Sequence, residues 1–184
     1  GISIAGDITS NKDGAAGAIA FTGTVTLTGD VIVTADDHAD STITFNSTVN
    51  ASTSGGQSLT LDTDAGAIAM QGAIGGSTAL SALTVNADGA GTVEIADIGT
   101  SSAVGVTGAT AIGNTSTGTL TLDGSAYTTT GTQTYKGASG GSNIVISGTT
   151  PTFTTTNTAI EFNTSDVTLS NNGTTTINTG SGAG

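Results

Sequence analysis

A short block of alternating apolar and polar residues returns along the chain at nearly constant spacing, and this period constrains the fold more than any single residue. The block reads IAFTGTV at residues 19–25, ITFNSTV at 43–49 and IAMQGAI at 68–74, with a shorter copy, VEIADI, at 93–98. Successive copies begin 24, 25 and 25 residues apart. A fixed period of this length indicates a repeat architecture, in which each unit is stabilised by its neighbours.

A second block, an apolar–threonine–apolar triplet followed by a polar residue, supports a similar period. Its copies begin at Leu59, Leu83, Leu120, Ile144 and Val167. The steps between them are 24, 37, 24 and 23 residues. The 37-residue step predicts one longer loop or an irregular turn of chain between Val85 and Leu120.

Alternation with a period of two, bounded by Gly, Asn and Asp, predicts short β-strands. A repeat near 24 residues fits one turn of a parallel β-solenoid, whose turns stack about 4.8 Å apart. We therefore predict an all-β fold, a parallel β-solenoid (β-helix) with rungs of about 24 residues. Like residues then form interior ladders, one with members Ile19, Ile43, Ile68 and Val93, and a neighbouring one with members Phe21, Phe45, Met70 and Ile95. The alternative is a β-sandwich, a pilin-like subunit that polymerises by donating the strand at residues 1–5.

Composition agrees with a narrow interior and many corners. Apolar residues make up 35% of the 184 residues, and there are 29 glycines, one proline and no cysteine. Glycine supplies the backbone conformations that tight turns need. We expect residues 1–184 to form a single repeat-built β domain, a segment of a longer or processed chain, with residues 179–184 as a linker-like tail.

The charge is strongly acidic and limits the partners. Fourteen carboxylates face two lysines, Lys12 and Lys136, and the net charge is −12. This balance argues against nucleic acid, because no basic patch is available to neutralise phosphates, and it argues against anionic lipid. It is compatible with divalent cations. No apolar run approaches the roughly 20 residues of a membrane helix, so we expect no membrane insertion within this segment.

Three motifs resemble the repeats of very large bacterial surface proteins. They are TTTGTQTYKGA at residues 128–138, STITFNSTVN at 41–50 and SALTVNADGAG at 81–91. In this respect most of residues 18–178 resemble filamentous-haemagglutinin-like or autotransporter-like β-solenoid adhesins. The resemblance implies a secreted rod or filament that attaches cells to surfaces or to each other, and it implies no shared catalytic residues. Within the first motif we expect Tyr135 to cover a corner or an edge of the interior.

The sequence offers little for catalysis. A histidine-based triad would have to use His38, which lies in DDHAD at residues 36–40, a stretch that reads as a polar loop. Paired carboxylates can hydrolyse glycosides, but aromatic residues make up only 3% of the chain. We therefore expect no enzyme activity.

Calcium is the one metal the pattern favours, since it takes six to eight oxygen ligands. Three carboxylates are close enough in sequence to share one ion: Asp36, Asp37 and Asp40. A second group would stack one repeat apart, with Asp62 and Asp64 below Asn86 and Asp88. Solvated corners are the other interpretation. The calcium-binding nonapeptide of β-rolls and the EF-hand loop are absent, and no cofactor is required.

Two covalent modifications are also open. Asn-x-Ser/Thr triplets, the acceptors of N-glycosylation, begin at Asn46, Asn50, Asn114, Asn163 and Asn172. The two lysines are candidates for isopeptide crosslinks with Asn or Asp, although exposed lysine is the simpler interpretation.

The function expected from these features is structural: an extracellular, cell-surface fibre or adhesin segment that acts through self-association and surface attachment. The expected partners are other copies of itself and surface glycans. Two alternatives remain. One is a pilin-like filament subunit joined by donor-strand exchange, and the other is a glycan- or ice-binding solenoid module that uses its threonine rows.

Overall fold

The chain is a parallel β-solenoid, as the repeat predicts. The computed structural model describes residues 1–10, 16–35, 40–141 and 143–180, and this part consists of twenty β-strands joined by corners, without a helix. Every strand pairing in it is parallel. Each strand pairs with the strand one repeat before or after it, so the chain winds around an axis. The β-sandwich alternative is therefore wrong as a fold.

The winding produces three faces, and one rung is a turn of chain that contributes to each face. Face 1 contains β1 (Ile2–Ile4), β4 (Val25–Leu27), β7 (Val49–Ala51), β14 (Ala126–Thr128), β17 (Thr152–Thr154) and β20 (Thr176–Asn178). Face 2 contains β2 (Ile8–Ser10), β5 (Val31–Ala35), β8 (Leu59–Thr63), β10 (Leu83–Ala87), β12 (Thr110–Ile112), β15 (Gln133–Lys136) and β18 (Ile160–Asn163). Face 3 contains β3 (Ile19–Phe21), β6 (Thr42–Phe45), β9 (Ala67–Met70), β11 (Thr92–Ile95), β13 (Thr119–Leu122), β16 (Ile144–Ile146) and β19 (Val167–Leu169).

Faces 2 and 3 are each continuous seven-stranded sheets. Face 1 is interrupted in the middle, where single-residue bridges at Ile74 and Ile98 connect Val49 to Tyr127. One side chain per level still points inward there. The chain thus completes seven rungs and then adds one more strand, β20, on face 1.

Both interior ladders predicted from the repeat are confirmed on face 3. Ile19 pairs with Ile43, Ile43 with Ile68 and Ile68 with Val93, and the same registers stack Phe21, Phe45, Met70 and Ile95. Nearly all of these side chains are fully buried. Burial of about 25 cal/mol per Å² of apolar surface, repeated at every level, is what holds a rung onto its neighbours.

The second block, in contrast, does not form one ladder. Leu59 and Leu83 lie on face 2, but Leu120 pairs with Val93 and continues the first ladder on face 3. The 37-residue step is therefore a change of face. The intervening turn is also irregular, as predicted: Leu83 and Thr110, which are register partners, lie 27 residues apart. Faces 2 and 3 share the inward–outward–inward pattern, so the triplet alone does not distinguish them.

Close approach of neighbouring rungs explains some of the glycine. Gly75 has a φ of +68°, and a Cβ there would lie 2.0 Å from the carbonyl oxygen of Gly105. A side chain at this position would therefore both strain the backbone and force the rungs apart. Corners of this kind allow successive rungs to stack directly on each other.

Candidate functional site

Carboxylates at the corners act first as hydrogen-bond acceptors between rungs. Asp30 Oδ1 accepts from the backbone N–H of Ser58 at 2.8 Å and from its hydroxyl at 2.9 Å. These hydrogen bonds lower the pKa of Asp30, because they favour the charged form. Asp97 Oδ1 likewise accepts from the backbone N–H groups of Ser125 and Ala126, at 2.7 and 2.9 Å. These aspartates therefore satisfy backbone groups that the strand ladder leaves unpaired.

The first group of predicted calcium ligands lies only partly within view. Asp36 and Asp37 fall outside the described residues, as does His38. Asp40 lies at the end of the same corner, just before β6. Calcium binding at this corner stays a prediction.

The second predicted group lies on face 2, near the ends of β8 and β10. Asp62 points outward between Thr34 and Asn86, its register partners in the adjacent rungs. Partial burial, and then the charges of Asp88 and Asp64, raise the pKa of Asp62. Asp88 Oδ1 accepts from Asn114 Nδ2 at 2.5 Å. The three carboxylates thus influence each other electrostatically.

Within residues 1–10, 16–35, 40–141 and 143–180, no three acidic or histidine side chains are close enough together to hold a metal ion. Calcium bridging by Asp62, Asp64 and Asp88 therefore stays a prediction from the sequence. A thermal melt in calcium and in chelator tests it directly, because an ion bound only by the folded state raises Tm.

A cluster of four aromatic rings fills the interior of the last rungs. Tyr127 and Phe153 stack on face 1 with ring centroids 4.5 Å apart, and Tyr135 and Phe162 stack on face 2 at 5.2 Å. The two stacks meet edge to face, with 5.6 Å between the rings of Tyr135 and Phe153. Tyr135 is fully buried, so the expectation that it covers a corner or an edge is wrong.

A buried glutamine organises the polar groups of this cluster. Gln133 Nε2 donates to the carbonyl oxygens of Tyr127 and Thr154 and to the hydroxyl of Thr129, at 2.7, 2.9 and 3.1 Å. Its Oε1 accepts from the hydroxyl of Tyr135 at 3.1 Å. Since buried polar groups are costly unless they are paired, the glutamine and the tyrosines depend on each other.

Tyr127 completes the network at the neighbouring corner. Its hydroxyl accepts from the backbone N–H of Gly124 at 2.8 Å and donates to the carbonyl oxygen of Ile95 at 3.2 Å. Burial is the main cause that raises the pKa of both Tyr127 and Tyr135 far above the ordinary tyrosine value. Both phenols are therefore neutral hydrogen-bonding groups.

One hydroxyl in this region has no partner among the described residues. Thr110 Oγ1 is buried without a hydrogen bond, one level from Gln133 in the same inward row. Sequence analysis missed this network. The alternation of QTYK over residues 133–136 could have revealed it, because it places Gln133 and Tyr135 on one side of the strand and Thr134 and Lys136 on the other.

The outward rows do not form a regular threonine ladder. On face 2 one row reads, from rung to rung, Ile32, Thr60, Thr84, Ala111, Thr134 and Glu161. The corresponding row of face 3 reads Ala20, Thr44, Ala69, Glu94, Thr121, Val145 and Thr168. A strict threonine array, which the ice-binding alternative requires, is therefore interrupted on both faces.

The remaining candidates from the sequence lie on the surface. Lys136 is the register partner of Asn163 on face 2, and Asn163 Nδ2 donates to Glu161 at 3.2 Å. Lys12 is outside the described residues. Among the glycosylation triplets, Asn46 is exposed, whereas Asn50 Oδ1 accepts from the backbone N–H groups of Ser77 and Thr78.

The C-terminal end of the solenoid exposes inward-pointing apolar side chains. Leu169 is 58%, Ile177 56% and Val167 38% exposed. They continue ladders whose earlier members are buried, since Leu169 follows Ile146 and Ile177 follows Phe153. This end is the largest apolar feature of the described surface.

The described part of the chain contains no helix long and apolar enough to cross a membrane. No protein-family profile matches the chain, and no curated protein sequence and no solved structure is similar to it.

Proposed function

We propose that this chain is a structural rod segment of an extracellular, cell-surface fibre or adhesin, acting through self-association and surface attachment and without catalysis. The observation that carries the proposal is the uninterrupted stacking of inward side chains from the first rung to the last. This construction spends the sequence on a long, thin shape with polar, mostly small outward residues. Such a shape suits a spacer that holds a binding surface away from a cell.

The mechanical argument rests on the direction of the hydrogen bonds. Strand-to-strand hydrogen bonds of a solenoid run along its axis, so tension between the ends loads them one rung at a time. Each rung is held by the apolar ladder and by corner acceptors such as Asp30 and Asp97. A rod of this kind yields from its ends, because terminal rungs have one neighbour instead of two.

The surface supports partners other than polyanions. With a net charge of −12 the rod stays hydrated and repels nucleic acid and anionic lipid. The partners proposed are further copies of the chain and surface glycans. The interrupted threonine rows give no specific support to the ice-binding alternative, and the parallel winding removes the sandwich on which the pilin alternative depended.

The test is immunogold labelling of intact cells of the source organism with antibodies against the folded chain. The expected result is label on the outer surface, distributed along fibres or a layer, and lost after mild external proteolysis. Label confined to the interior of permeabilised cells would overturn the proposal. Cells whose gene for the chain is deleted serve as the control.

A further inference from the structure

We propose that copies of this chain stack head to tail into an open filament, with the N-terminal rung of one copy on the C-terminal rung of the next and each copy turned by one face. The inference deepens the proposed function, on which it rests, because it identifies the surfaces and the geometry of self-association. The C-terminal surface is formed by β18, β19 and β20, and the N-terminal surface by β1, β2 and β3.

The C-terminal surface resembles an interior level of the solenoid that has lost its cover. Leu169 and Ile177 are more than half exposed, whereas Ile146 and Phe153, one rung earlier, are almost completely buried. Phe162 is partly buried and packs against the core cluster. Besides these side chains, β18, β19 and β20 are the last strands of their sheets and carry one unpaired edge each. An added parallel strand would satisfy both the apolar side chains and the edge.

The N-terminal rung has the complementary edge. β1, β2 and β3 are the first strands of the same three faces, and their inward residues Ile2, Ile8 and Ile19 are partly buried apolar side chains. Because all strands wind in the same sense, the free edge at one end lacks the neighbour that the other end offers. Head-to-tail contact is therefore heterologous and does not close, which generates a filament.

The number of strands fixes the rotation between copies. Face 1 has eight levels, from Ile2 to Ile177, while faces 2 and 3 have seven. The first vacant position after β20 is consequently on face 2, above β18. An incoming β1 fills it only if the copy is turned by one face, which then places β2 on β19 and β3 on β20. Without the turn, β20 would have to be displaced.

Corner lengths agree with the turned arrangement. Three residues separate Ile4 from Ile8, and four separate Phe162 from Val167, over which they would lie. At the next corner, eight residues lie between Ser10 and Ile19, and seven lie between Leu169 and Ile177. The paired corners thus differ by one residue.

The charges near the join oppose it at low ionic strength. Asp7, in the first corner of the incoming copy, would lie over the corner that contains Asp166, and Glu161 is exposed nearby. Salt screens such repulsion and strengthens apolar burial when the anion is sulfate. Association is therefore expected to increase with ionic strength, opposite to an interface held by ion pairs.

Cysteine crosslinking tests the geometry, since the chain has no cysteine of its own. Thr9→Cys and Thr168→Cys point outward at the join, and in the turned arrangement they become register partners at about 4.8 Å, within disulfide range. The two variants, carrying tags of different size, are mixed at high salt and oxidised. The expected result is a mixed disulfide dimer with a yield about tenfold above that of Ala20→Cys mixed with Thr168→Cys.

Each other outcome overturns the proposal. A dominant Ala20–Thr168 crosslink would mean stacking without the turn, and a dominant dimer of Thr168→Cys alone would mean tail-to-tail contact. The absence of any crosslink, together with a monomer in analytical ultracentrifugation at high salt, would mean that the ends do not self-associate. Surface label on source cells is measured separately, so a cell-surface rod that stays monomeric is distinguishable from failure of the proposed function.

A variant and an image provide the second readout. Leu169→Asp places a charge on the apolar end and is expected to abolish association, while Thr168→Asp, which points outward beside it, is the matched control. In electron micrographs of the wild-type filament the expected axial rise per copy is about 35 Å, from seven and one-third turns at about 4.8 Å. A filament in which Leu169→Asp assembles as well as wild type would contradict the proposed surface.

Discussion

The first and the last rungs of the solenoid share one backbone plan but have different cores. In rungs two to four, the inward residues of faces 1 and 2 are aliphatic, for example Val49 and Leu59. In the last rungs the same rows carry Tyr127, Phe153 and Tyr135, together with Gln133. Aromatic rings fit because stacked strands repeat at about 4.8 Å, close to the 4.5 Å between the Tyr127 and Phe153 rings.

The comparison separates what stacking requires from what chemistry adds. Phe21 and Phe45 also stack in the first rungs, at 4.4 Å, so rings alone do not distinguish the two regions. The difference is the buried hydroxyl and amide groups, which need partners at every level. The aliphatic region is therefore expected to tolerate apolar substitutions, and the aromatic–polar region to depend on specific residues.

The strongest test exchanges the two core chemistries. Leu59→Gln places an amide between Val31 and Leu83, its register partners in the same row, and is expected to cost about 3 kcal/mol or more because no polar partner is near. Gln133→Leu removes one hydrogen-bonding centre and is expected to cost about 1–3 kcal/mol. Urea denaturation measures both. Equal tolerance of the two substitutions would show that the regions do not differ as described.

A second test raises the pH, since both tyrosines belong to the aromatic–polar region. Their pKa values are raised in the folded chain, whereas tyrosine in the unfolded chain ionises near 10. Above that pH the unfolded state binds fewer protons, so stability falls as pH rises, by about 1.4 kcal/mol per tyrosine per pH unit.

Absorbance near the tyrosinate band, followed together with circular dichroism, measures the effect of pH. The two signals are expected to change together, as a single cooperative unfolding event. Gradual ionisation near the ordinary pKa, with the β-sheet spectrum unchanged, would contradict the burial of Tyr127 and Tyr135.

A third test concerns two threonines that differ in their partners. Thr110 Oγ1 is buried without a hydrogen bond in the described part of the chain, so Thr110→Val is expected to stabilise by about 1 kcal/mol. Thr129 Oγ1 donates to the carbonyl oxygen of Gly131 and accepts from Gln133, so Thr129→Val is expected to destabilise by about 1–3 kcal/mol. Thermal denaturation of both variants checks the signs, and loss of stability in Thr110→Val would indicate an unrecognised partner.

The sequence predicted the period, the parallel winding and the face 3 ladders, because each depends on spacing and on the alternation of apolar residues. It misplaced Leu120, since the apolar–Thr–apolar triplet is identical on two faces and carries no label for the face. It also missed the interior role of Gln133 and Tyr135. Only pairing in space reveals that network, because its partners, such as Thr154 and Ile95, come from different rungs.

The smallest expected effects lie on the surface and sharpen the comparison by excluding it as the source of the differences. Asp62 has a raised pKa, so its charge costs stability as pH rises from about 4 through the folded pKa. Asp62→Asn, which copies the neighbouring Asn86, is expected to gain a few tenths of a kcal/mol at neutral pH.

Asp30→Asn is the matched control with the opposite sign. Hydrogen bonds from Ser58 lower the pKa of Asp30, so its contribution is present above the unfolded pKa and is lost as pH falls through the folded pKa. Stability profiles between pH 3 and 7 compare the variants, and a shift in the same direction for both would contradict the assigned causes.

The most direct test of the central claim asks which strands are neighbours. Glu94 and Thr121 are outward register partners on face 3, so cysteines at these two positions are expected to form an intramolecular disulfide, leaving no free thiol. Cysteines at Thr84 and Thr121 lie on different faces and are expected to stay reduced. A disulfide between positions 84 and 121, with none between 94 and 121, would restore the ladder suggested by the triplet repeat and contradict the solenoid register.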